Sequence, residues 1–363
     1  MKQKLFFVFA LLVFLLSSCS EERHISLKNK TDVLSLREIR GIGKYTAATV
    51  MSNEPYRHSE DADADITNKC EFDFYRPEAL RGKKLPLVIF LHEGAFVTGN
   101  KNNFVPEKIS KDLARMGYAV ANMNYRLVNN PRALISKEAT RRYIMRSVAD
   151  VRLGIRNLKE RADELLIDTN KVYIMGWSAG AIVANTLLFT DREEALNYVA
   201  SEHRNDFQHN DAFDFPLNLA GVISIGGALM ANDVDDEDLK NARCLMFHGT
   251  KDDMIPMGYD DPLKRYQKGA TIAISPIRAR VETNNGEGYS LGLDFHLPDI
   301  LAKTAVQLLT SRVYGSSAML DLSDSPNHQL IEIKDGGHAF FLTDEHFNEN
   351  YAQMMIRVKA FIK

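Results

Sequence analysis

Cysteine is scarce in this chain, with three among the 363 residues, at positions 19, 70 and 244. A chain of this length buries roughly 75% of the surface that it exposes when unfolded, so its core needs neither disulfides nor a structural metal. We therefore expect Cys70 and Cys244 to be free thiols. Cys244 lies in an apolar, strand-like segment, which is typical of a small buried residue.

A surplus of one charge is also absent, since 45 Lys and Arg face 48 Asp and Glu and the formal net charge is −3. Nucleic-acid-binding domains usually carry a basic surplus or a basic cluster, so this balance argues against a nucleic-acid partner. Hydrophobic residues make up 45% of the chain and charged residues 26%. These proportions are typical of a soluble globular protein and exclude a disordered, collagen-like or multi-span membrane protein.

Only a short apolar run occurs at the N-terminus, from Leu5 to Leu16, after two lysines. This run is too short for a membrane span, which needs about 20 residues. It is typical of a secretory signal, in which a basic start is followed by about a dozen apolar residues and then by small residues. The tetrad Leu16-Ser17-Ser18-Cys19 resembles a bacterial lipoprotein signal box. That resemblance implies a signal peptide over residues 1–18, a lipid on Cys19 and anchoring in the bacterial cell envelope. The alternative is a plain signal peptide with an accidental cysteine.

The remaining chain divides into a polar tether over residues 19–40 and a domain over 41–363. Strands and helices alternate from about residue 66, which predicts a mostly parallel, doubly wound sheet with helices on both faces. The predicted strands are Phe72–Tyr75, Leu87–Leu91, Tyr118–Leu127, Val172–Met175, Val222–Ile225, Cys244–Phe247 and Ile331–Ile333. The predicted helices cover about 106–116, 138–161, 179–190 and 345–361. Segments at about 191–218 and 257–312 do not fit the alternation and are interpreted as insertions that cover a site.

The segment Gly176-Trp177-Ser178-Ala179-Gly180 carries the strongest chemical signal. It follows a buried strand and opens a helix. A nucleophilic serine needs a sharp turn that lifts its hydroxyl from the backbone, and small residues two positions away let strand and helix pack closely. We predict that Ser178 is a catalytic nucleophile.

Backbone N–H groups for a developing oxyanion are expected from the segment His92-Glu93-Gly94-Ala95-Phe96, at the end of an earlier strand. A loop of small residues at this place aims its N–H groups at the reacting oxygen. The predicted donors are Gly94 and Ala95, together with Ala179 directly after the nucleophile. The alternative is an ordinary tight turn.

A carboxylate and a histidine complete the predicted set. Asp252 and Asp253 both follow the predicted strand Cys244–Phe247, and either carboxylate would orient an imidazole. His338 lies on a glycine-containing loop after the last strand, where it would act as general base. We expect His92 and His248 to make structural hydrogen bonds. The order serine, acid, histidine is that of the α/β-hydrolase triad. No cofactor or metal is assigned.

These motifs resemble the α/β-hydrolase carboxylesterases, close to bacterial esterases with an HGGG-type oxyanion loop, over roughly residues 66–363. Asn124-Tyr125-Arg126-Leu127 is similar to the family's Asp-Tyr-Arg-Leu, and Asp168–Val172 to its lead into the nucleophile strand. The resemblance implies that Asp252 is the acid, four residues after His248. It also implies a small ester or an esterified glycan as substrate, with acetyl or feruloyl groups.

Two residues depart from the family pattern. Glu93 replaces a glycine of the oxyanion loop, and a carboxylate there would oppose the oxyanion by about 1 kcal/mol or more. We therefore expect the Glu93 side chain to turn away from the oxyanion, with an arginine as a candidate partner. Asn124 replaces an aspartate of the family pattern, so the sequence does not predict whether the ion pair of that aspartate is present here.

Two other functions stay open at this point. A serine peptidase of the same fold would use the same triad, because triad geometry alone does not separate esters from amides. A non-catalytic, glycan-binding surface lipoprotein gains weight from Glu93 alone. The sequence favours the serine ester hydrolase.

Overall fold

The computed structural model describes the chain in segments separated by gaps. The described residues are 43–56, 66–67, 69–128, 137–189, 213–229, 243–252, 254–255, 257–260, 280–282, 288–290, 313–316, 319, 327–343 and 346–362. The predicted signal peptide, Cys19 and the tether lie outside them, as does most of both predicted insertions. A cover over the site therefore stays a prediction. Within the described residues no helix is long and apolar enough to span a membrane.

One mixed sheet of eight strands forms the centre of the fold. Its strands are β1 (Ala47–Pro55), β2 (Glu71–Pro77), β3 (Leu85–Leu91), β4 (Ala119–Met123), β5 (Ile167–Trp177), β6 (Gly221–Ile225), β7 (Cys244–Gly249) and β8 (His328–Ile333). Their order is β1-β2-β4-β3-β5-β6-β7-β8. β1 and β2 pair antiparallel, as do β2 and β4, and every other neighbouring pair is parallel.

Helices cover both faces of this sheet. They are α1 (Phe104–Met116), α2 (Lys137–Glu160), α3 (Ala162–Leu165), α4 (Ala179–Phe189) and α5 (Glu349–Phe361), and a 3₁₀ turn spans Glu78–Leu80. Strand β3 shows why two layers form, because Leu87, Ile89 and Leu91 pack in the core with α2 and α4, whereas Val88 and Phe90 pack with α1 and α5. Side chains alternate across a strand, so an entirely apolar strand needs cover on both sides. The predicted doubly wound α/β class is confirmed.

Short strand pairs lie outside the main sheet. Tyr259–Asp260, Val313–Gly315 and Ala228–Leu229 form a three-stranded sheet. The two-stranded pairs are Ile66–Thr67 with Leu127–Val128, Arg280–Glu282 with Gly288–Ser290, and Leu342–Thr343 with His346–Phe347.

The structure departs from the sequence prediction at the bounds of some elements and in one additional strand. The strand predicted over Tyr118–Leu127 covers only Ala119–Met123. The last helix begins at Glu349 rather than about residue 345, because His346–Phe347 form a strand pair and the Asn348 side chain accepts hydrogen bonds from the first helical N–H groups. The strand β1 was not predicted at all.

Neither Cys70 nor Cys244 forms a disulfide within the described residues, as predicted. Cys244 is buried on β7, and burial raises the pKa of its thiol to about 12. Cys70 is half-buried.

Lys101 is a fully buried cation that ties the end of the oxyanion loop to the sheet. Its ammonium lies 2.8 Å from the Asp73 carboxylate and 2.6 Å from Asn53 Oδ1. Its backbone N–H donates to Asn124 Oδ1 at 2.7 Å and its C=O accepts from Asn122 at 2.6 Å. Asn124, which replaces an aspartate of the family pattern, therefore binds the loop backbone. The nearby Arg126 forms its own ion pair with Asp150.

We expect Lys101→Met to lower the free energy of unfolding by about 3 kcal/mol or more, because Asp73 would keep a buried charge without its cation. Urea denaturation measures this loss. The double variant with Asp73→Asn should recover part of it. Lys84→Met breaks an exposed pair with Asp163 and serves as the control with no measurable change. Wild-type stability in Lys101→Met would contradict this account.

Candidate active site

Ser178 lies in the turn between β5 and α4. Its φ of +56° is in the left-handed region, which non-glycine residues rarely adopt. A Cβ on Gly176 would lie 2.3 Å from the backbone of Gly180, and one on Gly180 would lie 2.3 Å from the Leu91 carbonyl oxygen. Only glycine at both positions lets strand and helix approach this closely, so the predicted reason for the spacing is met in the structure.

The side chains of Ser178, His338 and Asp252 form one hydrogen-bonded chain. His338 Nε2 lies 2.8 Å from Ser178 Oγ, and His338 Nδ1 lies 2.8 Å from Asp252 Oδ2. The Asp252 carboxylate accepts two further bonds at Oδ1, from the N–H groups of Met254 and Ile255 at 2.9 Å each. β5, β7 and β8 end at the same sheet edge, which brings together three residues that are far apart in sequence. Asp253, the alternative acid, lies outside the described residues.

Asp252 is held as a carboxylate. Burial on its own would raise the pKa of this group, but His338 and His248 beside it outweigh the burial and hold the pKa well below its usual value. An ionised aspartate at Nδ1 keeps the proton on that nitrogen, which leaves Nε2 free to accept a proton from a serine hydroxyl.

The predicted oxyanion loop follows β3 and bends sharply. Gly94, Ala95 and Phe96 have φ values of 119°, 51° and 65°, and the Gly94 carbonyl accepts bonds from the two residues after Phe96. Among the described residues, no acceptor is paired with the N–H groups of Gly94, Ala95 and Ala179. Unpaired N–H groups at a site of this kind are available for an anionic oxygen.

His92 fixes the start of this loop. Its ring stacks on Tyr125 with 4.4 Å between centroids, and its Nδ1 lies 2.7 Å from the Glu93 carbonyl oxygen. The Tyr125 hydroxyl donates to the His92 carbonyl at 2.7 Å. These contacts are structural, as expected for His92.

The Glu93 carboxyl differs from its prediction. Its neighbouring donors are its own backbone N–H and the side chain of Asn103, the residue before α1, and not an arginine. Its Oε2 atom is enclosed and has no hydrogen-bond partner among the described residues. Burial raises the pKa of Glu93 to about 7, although its own backbone N–H, Asn103 and the charge of His338 act in the opposite direction. The arginine was predicted from charge alone, whereas the path of the loop brings the neutral amide of Asn103 closer.

Glu93→Gln is expected to raise the free energy of unfolding by about 1–2 kcal/mol at pH 8 and by less than half of that at pH 5. The ordinary pKa of 4.5 applies to the unfolded chain and the value of about 7 to the folded one, so folding takes up a proton between them. The contribution of Glu93 to the free energy of unfolding is complete below pH 4.5, where Glu93 is protonated in both states. This contribution falls as the pH rises from 4.5 to 7, because the folded state resists the loss of the proton. Glutamine does not ionise and keeps the shape.

Urea denaturation at the two pH values measures this difference. Glu332→Gln, at an exposed residue of β8, is the matched control and should change stability equally little at both. A Glu93→Gln variant no more stable than wild type at pH 8 would contradict a buried, partly unpaired carboxylate.

Trp177, the single tryptophan, packs beside the histidine. Its ring centroid lies 6.2 Å from that of His338 and 4.9 Å from that of Phe341, and the residue is buried. It therefore forms a wall behind the imidazole. No group of three or more potential metal ligands occurs in the part of the chain that the structure describes.

Residues 72–233 match the BD-FAE family model, which describes esterase-like α/β-hydrolases. The match includes Ser178 and the loop residues Gly94 and Ala95. Asp252 and His338 lie beyond its end.

The chain is also similar to individual proteins. It is 25% identical over 125 residues to the non-reducing polyketide synthase pkbA of Emericella nidulans, which is 34% of this chain and 5% of that protein. It resembles the esterase 2 of Thermogutta terrifontis phosphorylated by paraoxon, at 15% identity and a TM-score of 0.47, over 85% of this chain and 92% of that one. The native form of the same esterase gives 14% identity and a TM-score of 0.46, over 88% and 92%.

Proposed function

We propose that this chain is a serine carboxylic ester hydrolase of the α/β-hydrolase type. The observation that carries the proposal is the unbroken hydrogen-bonded chain from Ser178 Oγ through His338 to Asp252, with 2.8 Å at each step. Unpaired N–H groups of the neighbouring loop and helix support it.

The first half of the reaction transfers the acyl group to the enzyme. Ser178 Oγ attacks the ester carbonyl carbon while His338 Nε2 takes the hydroxyl proton. Asp252 stabilises the imidazolium that forms. The N–H groups of Gly94, Ala95 and Ala179 hold the negative oxygen of the tetrahedral intermediate. When the C–O bond to the alcohol breaks, His338 returns the proton to the leaving oxygen.

The second half frees the enzyme. A water molecule gives one proton to His338 and its oxygen attacks the acyl carbon, and the Ser178 oxygen leaves with that proton. The same N–H groups hold the second oxyanion, so both halves use one geometry. These steps use no cofactor or metal.

We further propose acetyl or feruloyl esters of polysaccharides as the substrate class. The match to BD-FAE over residues 72–233 supports an ester substrate. The lipid on Cys19 and the envelope location are proposals as well, resting on the tetrad Leu16-Ser17-Ser18-Cys19.

A substrate panel tests this function. The esters are p-nitrophenyl acetate, p-nitrophenyl butyrate, methyl ferulate and acetylated xylan, and the amides are dipeptide p-nitroanilides. We expect turnover of at least one ester class and none of the amides. Amide cleavage as fast as ester cleavage would favour the peptidase, and glycan binding without any turnover would favour the binding protein.

A further inference from the structure

A second histidine contacts the carboxylate of the proposed triad. His248 lies on β7, four residues before Asp252, and both side chains are fully buried. His248 Nε2 is 3.3 Å from Asp252 Oδ2, the oxygen that also binds His338. The mechanism proposed above does not use His248.

The proton positions on His248 follow from its neighbours. Nε2 faces two acceptors, the Ile255 carbonyl oxygen at 2.9 Å and the Asp252 carboxylate, so this nitrogen must carry a hydrogen. Nδ1 lies 2.8 Å from Ser316 Oγ, a hydroxyl that is able to donate to it. This contact with Ser316 sets the orientation of the His248 ring.

These bonds close a ring around the acid. Ile255 donates its N–H to Asp252 Oδ1 and accepts at its carbonyl from His248. The Asp252 carboxylate is therefore held at Oδ1 by the turn and at Oδ2 by His338, and His248 Nε2 packs against Oδ2 at 3.3 Å. The contact with His248 also favours the ionised carboxylate, because His248 lowers the pKa of Asp252 against the effect of burial.

We propose, resting on the esterase function proposed above, that His248 is a positioning residue that holds the Asp252 carboxylate in place against His338. A carboxylate held only by the turn would rotate, and the hydrogen bond that aligns the imidazole with Ser178 would lengthen. Misplacement of a catalytic group by about 1 Å costs about 100-fold in rate.

Two variants of His248 form a matched pair. The amide of His248→Gln reaches the place of Nε2 and keeps a donor for Asp252, whereas the shorter His248→Asn reaches only the place of Nδ1 beside Ser316. We expect His248→Asn to lower kcat for p-nitrophenyl acetate by about 10- to 100-fold with little change in KM. His248→Gln should restore most of kcat.

A spectroscopic readout separates positioning from general loss of structure. The His338 Nδ1–H that bridges to Asp252 gives a strongly deshielded proton NMR resonance. We expect this resonance in wild type and His248→Gln, and we expect it broadened or lost in folded His248→Asn. Wild-type kcat and resonance in His248→Asn would overturn the proposal, as would equal loss of kcat in both variants with the resonance intact.

Ser316→Ala keeps the test decisive if His248→Asn does not fold. It frees the ring of His248, so kcat should fall several-fold and the resonance should broaden, and unchanged values would overturn the proposal. A wild-type protein without esterase activity would refute only the proposed function, because the resonance comparison needs no turnover.

Discussion

Ser178→Ala should lower kcat/KM for p-nitrophenyl acetate by about 10⁵-fold, the largest effect expected of any substitution in the chain. The variant lacks the oxygen that forms the acyl-enzyme, and His338 then has no hydroxyl to deprotonate. The loop N–H groups remain, so a small residual rate above the water background should persist. Initial rates at several substrate concentrations measure the change.

Ser110→Ala is the matched control for this substitution. Ser110 is a buried serine on α1 whose hydroxyl has no hydrogen-bond partner among the described residues, so its removal should leave kcat/KM unchanged. If Ser178→Ala kept a tenth or more of the wild-type rate, the nucleophile would have to be another group.

Asp252→Asn should lower kcat by about 10⁴-fold while KM changes little. The asparagine amide donates to His338 Nδ1, which forces the ring proton onto Nε2. That nitrogen lies 2.8 Å from Ser178 Oγ and is then unable to accept its proton. The substitution removes a charge but not the shape, so the protein should remain folded.

Asp112→Asn provides a second buried aspartate for comparison. Asp112 lies on α1 and binds Lys108, Arg115 and the Tyr351 hydroxyl, with no bond to a triad residue. It should lose stability without a change in kcat. If Asp252→Asn retained wild-type kcat, the carboxylate would not orient the base.

The placement of the triad residues is largely predictable from sequence, because each depends on a local pattern. The turn around Ser178 needs two glycines within five residues, and both close approaches occur inside that segment. Asp252 and His338 each follow a short apolar strand, and parallel strands bring such residues to one edge. The choice between Asp252 and Asp253 rested on resemblance, since spacing alone did not separate them.

Other features depend on contacts between distant segments, and sequence reasoning does not reach them. β1 has no continuous apolar run of strand length and none of its residues is fully buried, since among the described strands it pairs with β2 alone and lies at the edge of the sheet. The buried pair of Lys101 and Asp73 joins a loop to a strand without any motif. Ser316 forms a hydrogen bond with His248 although the two residues are 68 positions apart in sequence. The sequence motif around His248 predicts the position of Asp252 but not this partner.

Covalent labelling with a fluorophosphonate, read by mass spectrometry of the digested protein, tests the central claim most directly. Wild type should carry one adduct, on the peptide that contains Ser178, and His338→Ala should label far more slowly because no base activates the hydroxyl. An adduct on a different residue, or equal labelling rates in wild type and His338→Ala, would contradict a serine activated by His338 and Asp252.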